Sequence, residues 1–191
     1  PSFTLPADDE ALVLEGWSAL CKEYGPVFFE KSPHHIQNWA ALSLLLRYIN
    51  NTDQDVRIVG LVRNPHAMIY SIWKPGIHPH ERQFVWQQSY ERLLRFKESV
   101  DPDRFLLLRY EDIVNNPVKN MKSISRFIGV CYEESMGLNL HTRSLEKWRE
   151  DPLYTLHLDD KVKAVAMKLG YTQEDLTNHR ERKLMLNPFN Y

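Results

Sequence analysis

The sequence contains few of the residues on which small disulfide-stapled or metal-held proteins depend. Its 191 residues include two cysteines, Cys21 and Cys131, which are too few for a disulfide framework or a four-cysteine zinc site. No run of about 18 apolar residues is present, so no transmembrane helix is predicted, and no signal peptide is recognised. The low cysteine content is typical of a reducing compartment. We therefore expect a cytoplasmic protein, or one of the Golgi lumen if an anchor precedes Pro1.

Charge of either sign is also not in excess. Lysine and arginine number 24 and aspartate and glutamate number 25, so the formal net charge is −1. This balance argues against a generally basic nucleic-acid surface, but it leaves room for a local basic pocket that binds one small anion. The apolar fraction of 43% is sufficient for a hydrophobic core, and the length is that of about one domain.

Helical spacing of apolar residues, with proline and glycine at the expected ends, predicts six helices. They cover residues 11–24, a segment from Ser32-Pro33 to about residue 47, and residues 65–73, 81–100, 117–128 and 159–169. Three apolar runs that alternate with the helices predict strands over residues 27–31, 56–62 and 104–108. Because these strands are continuously apolar, we expect a parallel sheet covered by helices on both faces, which is an α/β architecture.

A candidate anion site follows the second predicted strand. Arg63 ends this strand, and Asn64-Pro65 opens a helix whose first N–H groups and partial positive charge favour an anion. The arginine adds a fork of donors for phosphate or sulfate. Ser71 lies nearly two turns after Asn64 and therefore on the same helix face. The alternative, slightly favoured by these residues alone, is an arginine paired with a surface carboxylate and a solvated serine.

A second group of candidates ends the first predicted strand. Lys31 can stabilise a transferred anionic group or its leaving oxygen, while His34 or Glu30 can serve as a general base. An ordinary salt-bridged strand end is an equally good interpretation of Glu30 and Lys31.

Other residues favour structural roles. His66, His78 and His80 lie around one loop region, and because His78-Pro79-His80 lacks supporting carboxylate or thiolate ligands, a solvated loop is favoured over a metal site. Trp73, Trp86 and Trp148 are interpreted as packing anchors, although each could stack on a base or a sugar.

Short motifs along the chain resemble those of the sulfotransferases that use 3′-phosphoadenosine-5′-phosphosulfate (PAPS). They are Phe29-Glu30-Lys31-Ser32-Pro33, Val62-Arg63-Asn64-Pro65 followed by Ser71, Leu108-Arg109-Tyr110-Glu111-Asp112, Ser144-Leu145-Glu146-Lys147-Trp148-Arg149 and Leu169-Gly170-Tyr171. The resemblance extends over about residues 27–171. No single motif is specific, but their shared order and spacing are hard to obtain by chance.

This resemblance implies a P-loop-NTPase-like, three-layer α/β fold with a central parallel sheet flanked by helices. It also implies transfer of a sulfuryl group from PAPS, as co-substrate and without a metal, to an acceptor hydroxyl or amine. Arg63 and Ser71 match the pair that holds the 3′-phosphate, and Lys31 matches a lysine that lines the transfer site. The match to a loop closing over the nucleotide supplies further candidate ligands: Thr142, Arg143, Ser144, Lys147 and Arg149. The motif from Arg109 to Asp112 is expected to brace the sheet edge.

The chain departs from the family pattern at its start. Before Tyr24 it has no glycine- and serine-rich loop of the kind that cradles the 5′-phosphosulfate, since Gly16 is isolated there. We therefore expect residues 1–191 to form a single sulfotransferase-like domain that is incomplete at its N-terminus.

Two alternatives stay open: a P-loop nucleotide kinase, and an inactive relic that binds a nucleotide or a partner. The acceptor is a carbohydrate, lipid, peptide or small molecule, and we expect neither nucleic-acid binding nor a membrane span. Trp86 and Tyr90, on the helix over 81–100, are expected to wall the acceptor pocket.

Overall fold

The computed structural model describes five stretches of the chain, namely residues 8–74, 79–137, 140, 142 and 145–179. The chain forms two compact units. The first unit comprises residues 1–60 and 88–106, and the second comprises residues 61–87 and 107–191. The expectation of a single domain over the whole chain stays a prediction.

The described residues form eight α-helices and two strands, joined by short 3-10 turns. In chain order they are α1 (Asp9–Tyr24), α2 (Trp39–Asn51), β1 (Ile58–Val62), α3 (Pro65–Ile72), α4 (Arg82–Ser99), β2 (Phe105–Arg109), α5 (Tyr110–Asn115), α6 (Pro117–Ile128), α7 (Lys147–Glu150) and α8 (Asp160–Lys168). None of the described helices is long and apolar enough to cross a membrane.

Strands β1 and β2 are neighbours in a parallel sheet. Parallel strands need a long crossover, and the chain between them supplies α3 and α4. The predicted parallel sheet and the predicted strands over 56–62 and 104–108 are therefore confirmed, with shifts of one or two residues at their ends.

The predicted strand over residues 27–31 is wrong. These residues have no regular secondary structure, and Val27 and Phe29 are 53% and 72% exposed. An apolar run becomes a strand only where a neighbouring strand pairs its N–H and C=O groups. In the described part of the sheet, β1 and β2 pair with each other and not with this segment.

The helix start predicted at Ser32-Pro33 is also wrong. The Ser32 hydroxyl donates to the Glu30 carboxylate instead of capping a helix. Helix α2 begins at Trp39, where the side chain of Asn38 accepts a bond from the Ala40 N–H at 2.9 Å. Asparagine is a strong N-cap, and it sets the start six residues later than the serine would have done.

The core of the first unit forms where aromatic rings meet across its elements. Trp17 of α1 lies 5.4 Å from the buried ring of Tyr48 on α2. Phe96 of α4 packs edge-to-face on Phe105 at the start of β2, with ring centroids 6.2 Å apart. Tyr90 is buried in this unit, and its expected place in the wall of an acceptor pocket stays a prediction.

The core of the second unit contains Trp86, Trp148 and Tyr154, all of which are almost completely buried. The side-chain amide of buried Asn178 donates to the carbonyls of Tyr154 and Leu156 at 3.2 and 3.1 Å. The interpretation of Trp86 and Trp148 as packing anchors is confirmed. The expectation that Trp86 walls an acceptor pocket is wrong because its ring is enclosed.

Glycines end two helices of the second unit as the sequence predicts. Gly129 follows α6 with φ 78°, and Gly170 follows α8 with φ 89°. After α6, the Val130 N–H reaches back to the Ser125 carbonyl at 2.9 Å. This pattern satisfies the last carbonyls of a helix and requires a left-handed residue, which glycine adopts without strain.

Substitution of Gly129 by alanine should destabilise the protein by about 1 kcal/mol because of the left-handed backbone. No atom lies within 4 Å of a Cβ placed there, so the cost is conformational rather than steric. Gly16 inside α1 has the same open space but no positive φ, and Gly16→Ala should stabilise the protein by about 0.5–1 kcal/mol. Urea unfolding followed by circular dichroism measures both variants. Shifts of the same sign would contradict this account.

Candidate functional site

Arg63 is held in place at the carboxyl end of β1. Its carbonyl accepts a bond from the indole N–H of Trp86 at 3.1 Å. Its guanidinium carbon lies 5.0 Å from the ring centre of Tyr110, the first residue after β2. This is within the range of a cation–π interaction. The ends of two neighbouring strands thus place a half-buried cation against an aromatic ring.

The first turn of α3 satisfies its own N–H groups. The side-chain oxygen of Asn64 accepts from the N–H groups of His66 and Ala67 at 2.9 and 3.4 Å, and its carbonyl accepts from Met68 at 2.9 Å. Pro65 has no N–H to offer. The expectation that these N–H groups are free for an anion is therefore wrong. Anion binding here has to come from side chains, above all Arg63.

The carboxylate of Glu111 fixes the start of α3 from the other side. One oxygen accepts from the Asn64 N–H at 2.8 Å, and the second accepts from the Tyr171 hydroxyl at 2.8 Å. The side-chain amide of Asn64 donates to the Asp175 carbonyl at 2.8 Å. The residue that follows Arg63 is therefore bonded through both its backbone and its side chain.

Arg109 and Asp112 form a second brace at the same edge. The guanidinium donates to both carboxylate oxygens of Asp112 at 2.7 and 2.8 Å, and to the Gly170 carbonyl at 2.6 Å. The bond to Asp112 raises the pKa of Arg109 further above its ordinary value. The prediction that the motif from Arg109 to Asp112 braces the sheet edge is confirmed.

Ser71 occupies the opposite end of α3 from Arg63. It lies six residues after Pro65, which is about 9 Å along the helix axis. Its exposed hydroxyl donates to the Met68 carbonyl at 2.6 Å. To donate to an anion, the hydroxyl has to turn away from this carbonyl. Joint binding of a phosphate by Arg63 and Ser71 stays a prediction.

The predicted nucleotide loop is described only in part. Thr142 and Lys147 are exposed, whereas Arg143 and Ser144 lie outside the described residues. Arg149 donates to the carbonyls of Glu174 and Thr177 at 3.0 and 3.3 Å. These bonds tie α7 to the segment that follows α8. A contact of these residues with a nucleotide stays a prediction.

The remaining candidates belong to the first unit. The two carboxylate oxygens of Glu30 accept from the Trp17 indole N–H, at 2.9 Å, and from the Ser32 hydroxyl. Lys31 and His34 are exposed. No catalytic role follows from these contacts alone, and the roles of all three candidates stay predictions.

His66 is the residue whose position the sequence failed to predict. It is fully buried, with Nε2 3.1 Å from the Leu176 carbonyl and Nδ1 3.3 Å from the Tyr154 hydroxyl. Because a carbonyl only accepts, we assign the proton to Nε2, so that Nδ1 accepts from Tyr154. Burial lowers the pKa of His66 to about 4, which keeps the ring neutral.

The prediction of a solvated histidine loop is therefore wrong for His66. His80 is exposed, and its Nδ1 lies 3.0 Å from the Gln83 side-chain nitrogen, while His78 lies outside the described residues. Within the described part of the chain, no group of three histidine, cysteine, aspartate or glutamate residues is arranged to hold a metal ion.

Comparison with known proteins gives a family match and two similar structures. A family model described as "Sulfotransferase family" matches residues 5–134. The sulfotransferase domain from the curacin biosynthetic pathway has a TM-score of 0.66 and 18% identity, over 84% of this chain and 68% of that one. The sulfotransferase domain from the Synechococcus PCC 7002 olefin synthase has a TM-score of 0.68 and 22% identity, over 84% and 64%. No curated protein matches at a significant level.

These structural likenesses establish the fold. The predicted P-loop-NTPase-like α/β fold is confirmed, because it is the fold of both sulfotransferase domains. The chain spans about two thirds of the length of each domain.

The buried histidine should make stability depend on pH. Its pKa is about 4 when folded and about 6.5 when unfolded, so its neutral form stabilises the fold fully above pH 6.5. This stabilisation is lost as the pH falls from 6.5 towards 4. From about pH 7.5 to about pH 5 the loss should be about 2 kcal/mol.

Urea unfolding at the two pH values measures this loss. The variant His66→Gln should lose the histidine-dependent part, while His179→Gln, which changes an exposed histidine, should keep the wild-type dependence. The same pH dependence in all three proteins would rule out the assignment.

Proposed function

Because this chain belongs to the sulfotransferase family, we propose that it transfers a sulfuryl group from PAPS to a hydroxyl or amine of an acceptor. The observation that carries the proposal is the fixed position of Arg63. Its carbonyl is bonded by Trp86, the next residue is bonded by Glu111, and its guanidinium rests on Tyr110. A cation held in this way at the end of a parallel strand lies where ligands of such sheets bind.

Arg63 fits the 3′-phosphate of the donor by its chemistry. A guanidinium presents two parallel donors that match two phosphate oxygens, and its charge is permanent. The N–H groups of the α3 first turn are already bonded, so the side chains of Arg63 and Ser71 would supply the donors. Lys147 and Arg149, with Thr142, Arg143 and Ser144, would complete the nucleotide site.

The reaction would be an in-line displacement at sulfur. The acceptor oxygen or nitrogen forms a bond to sulfur while the bond from sulfur to the bridging phosphate oxygen breaks. The acceptor proton passes to a base, and 3′-phosphoadenosine-5′-phosphate leaves. Lys31 would neutralise the charge that grows on the leaving oxygen. Together, Lys31 and Arg63 would neutralise the negative charge of the donor and of the leaving group, so the transfer would need no metal ion.

His34 is the better candidate for the base. Both oxygens of Glu30 already accept hydrogen bonds, from Trp17 and Ser32, whereas His34 is exposed. A neutral imidazole also has one ring nitrogen that accepts a proton, as a general base must. The acceptor belongs to the carbohydrates, lipids, peptides or small molecules that carry a hydroxyl or an amine.

Calorimetry with 3′-phosphoadenosine-5′-phosphate tests the donor site. The wild type should bind this bisphosphate more tightly than adenosine 5′-phosphate. Arg63→Ala should weaken binding by about 3 kcal/mol or more, because a hydrogen bond to a charged group contributes about 1.5–3 kcal/mol and arginine can form two. Ser71→Ala should cost less, since its hydroxyl forms one bond and gives up the Met68 carbonyl to do so.

Arg57→Ala is the matched control, because Arg57 pairs with Asp55 in the first unit and should not affect nucleotide binding. Equal affinity of the wild type for the two nucleotides would refute the proposed donor. Unchanged affinity of a folded Arg63→Ala variant would refute this location of its site.

Substitution of Lys31 by alanine tests the transfer step. An interaction that matters mainly in the transition state lowers kcat and leaves nucleotide binding largely intact. We expect kcat to fall by about 10²–10³ at saturating PAPS and acceptor. Lys22→Ala, which removes an exposed lysine of α1, is the control. A turnover number of Lys31→Ala within about twofold of wild type would exclude the catalytic role.

A further inference from the structure

One face of α3 is occupied by residues from the C-terminal part of the second unit. His66 and Tyr70 lie four residues apart on α3, and Trp73, three residues further on, caps the end of the helix, so the three residues form a stripe along α3 and its C-cap. The Tyr70 hydroxyl donates to Asp151 at 2.9 Å, and the ring of Trp73 lies 5.5 Å from that of Tyr154. The stripe therefore packs on the chain that follows α7.

His66 contacts this part of the chain through the face of its ring and through both ring nitrogens. Its ring stacks on Trp148 with centroids 4.2 Å apart and planes 15° from parallel. Its two nitrogens bond to the Tyr154 hydroxyl and the Leu176 carbonyl. One side chain of α3 thus contacts three separate points between residues 148 and 176. All three points lie outside the stretch that matches the family model, residues 5–134.

Trp148 links this histidine to the candidate nucleotide residues. It stands between Lys147 and Arg149 in the sequence, and the Arg149 guanidinium carbon lies 4.4 Å from the centre of its indole ring. The stack of Trp148 against His66 thus joins α3 to α7, the short helix that carries both cationic residues. Arg149 in turn holds the carbonyls of Glu174 and Thr177.

We propose that His66 is a positioning residue that holds α7 and the segment around residues 174–177 on α3 and so aligns Lys147 and Arg149 for the nucleotide. The inference rests on the proposed function, because PAPS is the ligand that these cations would meet. It adds a residue that touches no substrate and acts through Trp148.

The charges around His66 make this arrangement sensitive to protonation. Arg149, His157 and Lys163 all disfavour a positive charge on the ring. The carboxylate of Asp151 accepts a hydrogen bond from the hydroxyl of Tyr70, which lies on the same stripe as His66. A proton on Nδ1 would also end its role as acceptor for the Tyr154 hydroxyl. Acid should therefore release α7 from α3 and weaken nucleotide binding.

Two variants separate the parts of the contact. His66→Phe keeps an aromatic ring to stack on Trp148 but removes both hydrogen bonds. His66→Gln keeps an N–H donor for the Leu176 carbonyl and cannot become charged. At about pH 7.5, we expect His66→Phe to bind 3′-phosphoadenosine-5′-phosphate about tenfold more weakly than wild type, and His66→Gln to recover part of the loss. His179→Gln should bind as wild type does.

The dependence of nucleotide affinity on pH distinguishes a positioning role of His66 from a merely structural one, which would leave that dependence unchanged. The affinity of the wild type and of each variant for the bisphosphate falls with acid, because the nucleotide phosphates become protonated. As the pH falls from about 6.5 towards 4, wild type and His179→Gln should show an additional fall in affinity, and His66→Gln should lack it. Hydrogen–deuterium exchange should show lost protection over residues 147–156 and 174–178 in His66→Phe, with unchanged protection of α1.

The outcomes separate this inference from the proposed function. A wild type that does not bind the bisphosphate overturns the proposed function and the nucleotide alignment together. If the wild type binds, a folded His66→Phe variant with wild-type affinity and a wild-type pH profile overturns the inference alone. If neither variant folds, hydrogen–deuterium exchange of the wild type at falling pH is the test. Residues 147–156 should lose protection at a higher pH than α4 does. Loss of protection at the same pH in both segments would overturn the inference.

Discussion

The bond between the Glu111 carboxylate and the Asn64 N–H is the constraint on which the second unit depends. It joins the first turn after β2 to the N-cap residue of α3. The other carboxylate oxygen of Glu111 accepts a hydrogen bond from the Tyr171 hydroxyl, beyond α8. Bonds to an ionised acceptor are stronger than bonds between neutral groups, and a buried N–H that loses its partner is costly. Because Arg63 immediately precedes Asn64, the same bond determines where the candidate anion-binding cation stands.

Helix α3 serves two purposes at once. Arg63 immediately precedes its N-cap Asn64, which bonds the first N–H groups of the helix, so only the Arg63 side chain offers positive charge to an anion there. Its stripe of His66, Tyr70 and Trp73 receives the C-terminal part of the second unit. A change in this packing would therefore reach the candidate nucleotide residues through the backbone of one short helix, without contact with the nucleotide itself.

The elements that the sequence predicted correctly are those set by local signals. Pro65 after Asn64 marks the start of α3, and Gly129 and Gly170 mark helix ends, because each residue type favours its backbone conformation without help from distant residues. The errors at residues 27–31 and at His66 depend on partners far along the chain. An apolar run at residues 27–31 forms a strand only beside another strand. The sequence around His66 carries a weak signal, its spacing to Tyr70 and Trp73, but not the identity of Trp148 and Leu176 as its neighbours.

A crystal structure of the protein with 3′-phosphoadenosine-5′-phosphate tests the central claim most directly. Oxygens of the 3′-phosphate should lie about 2.7–3.2 Å from the guanidinium nitrogens of Arg63, with Asn64 still bonded to Glu111. The Ser71 hydroxyl should have turned from the Met68 carbonyl towards the phosphate. A nucleotide bound elsewhere, with no phosphate contact from Arg63, would contradict the account.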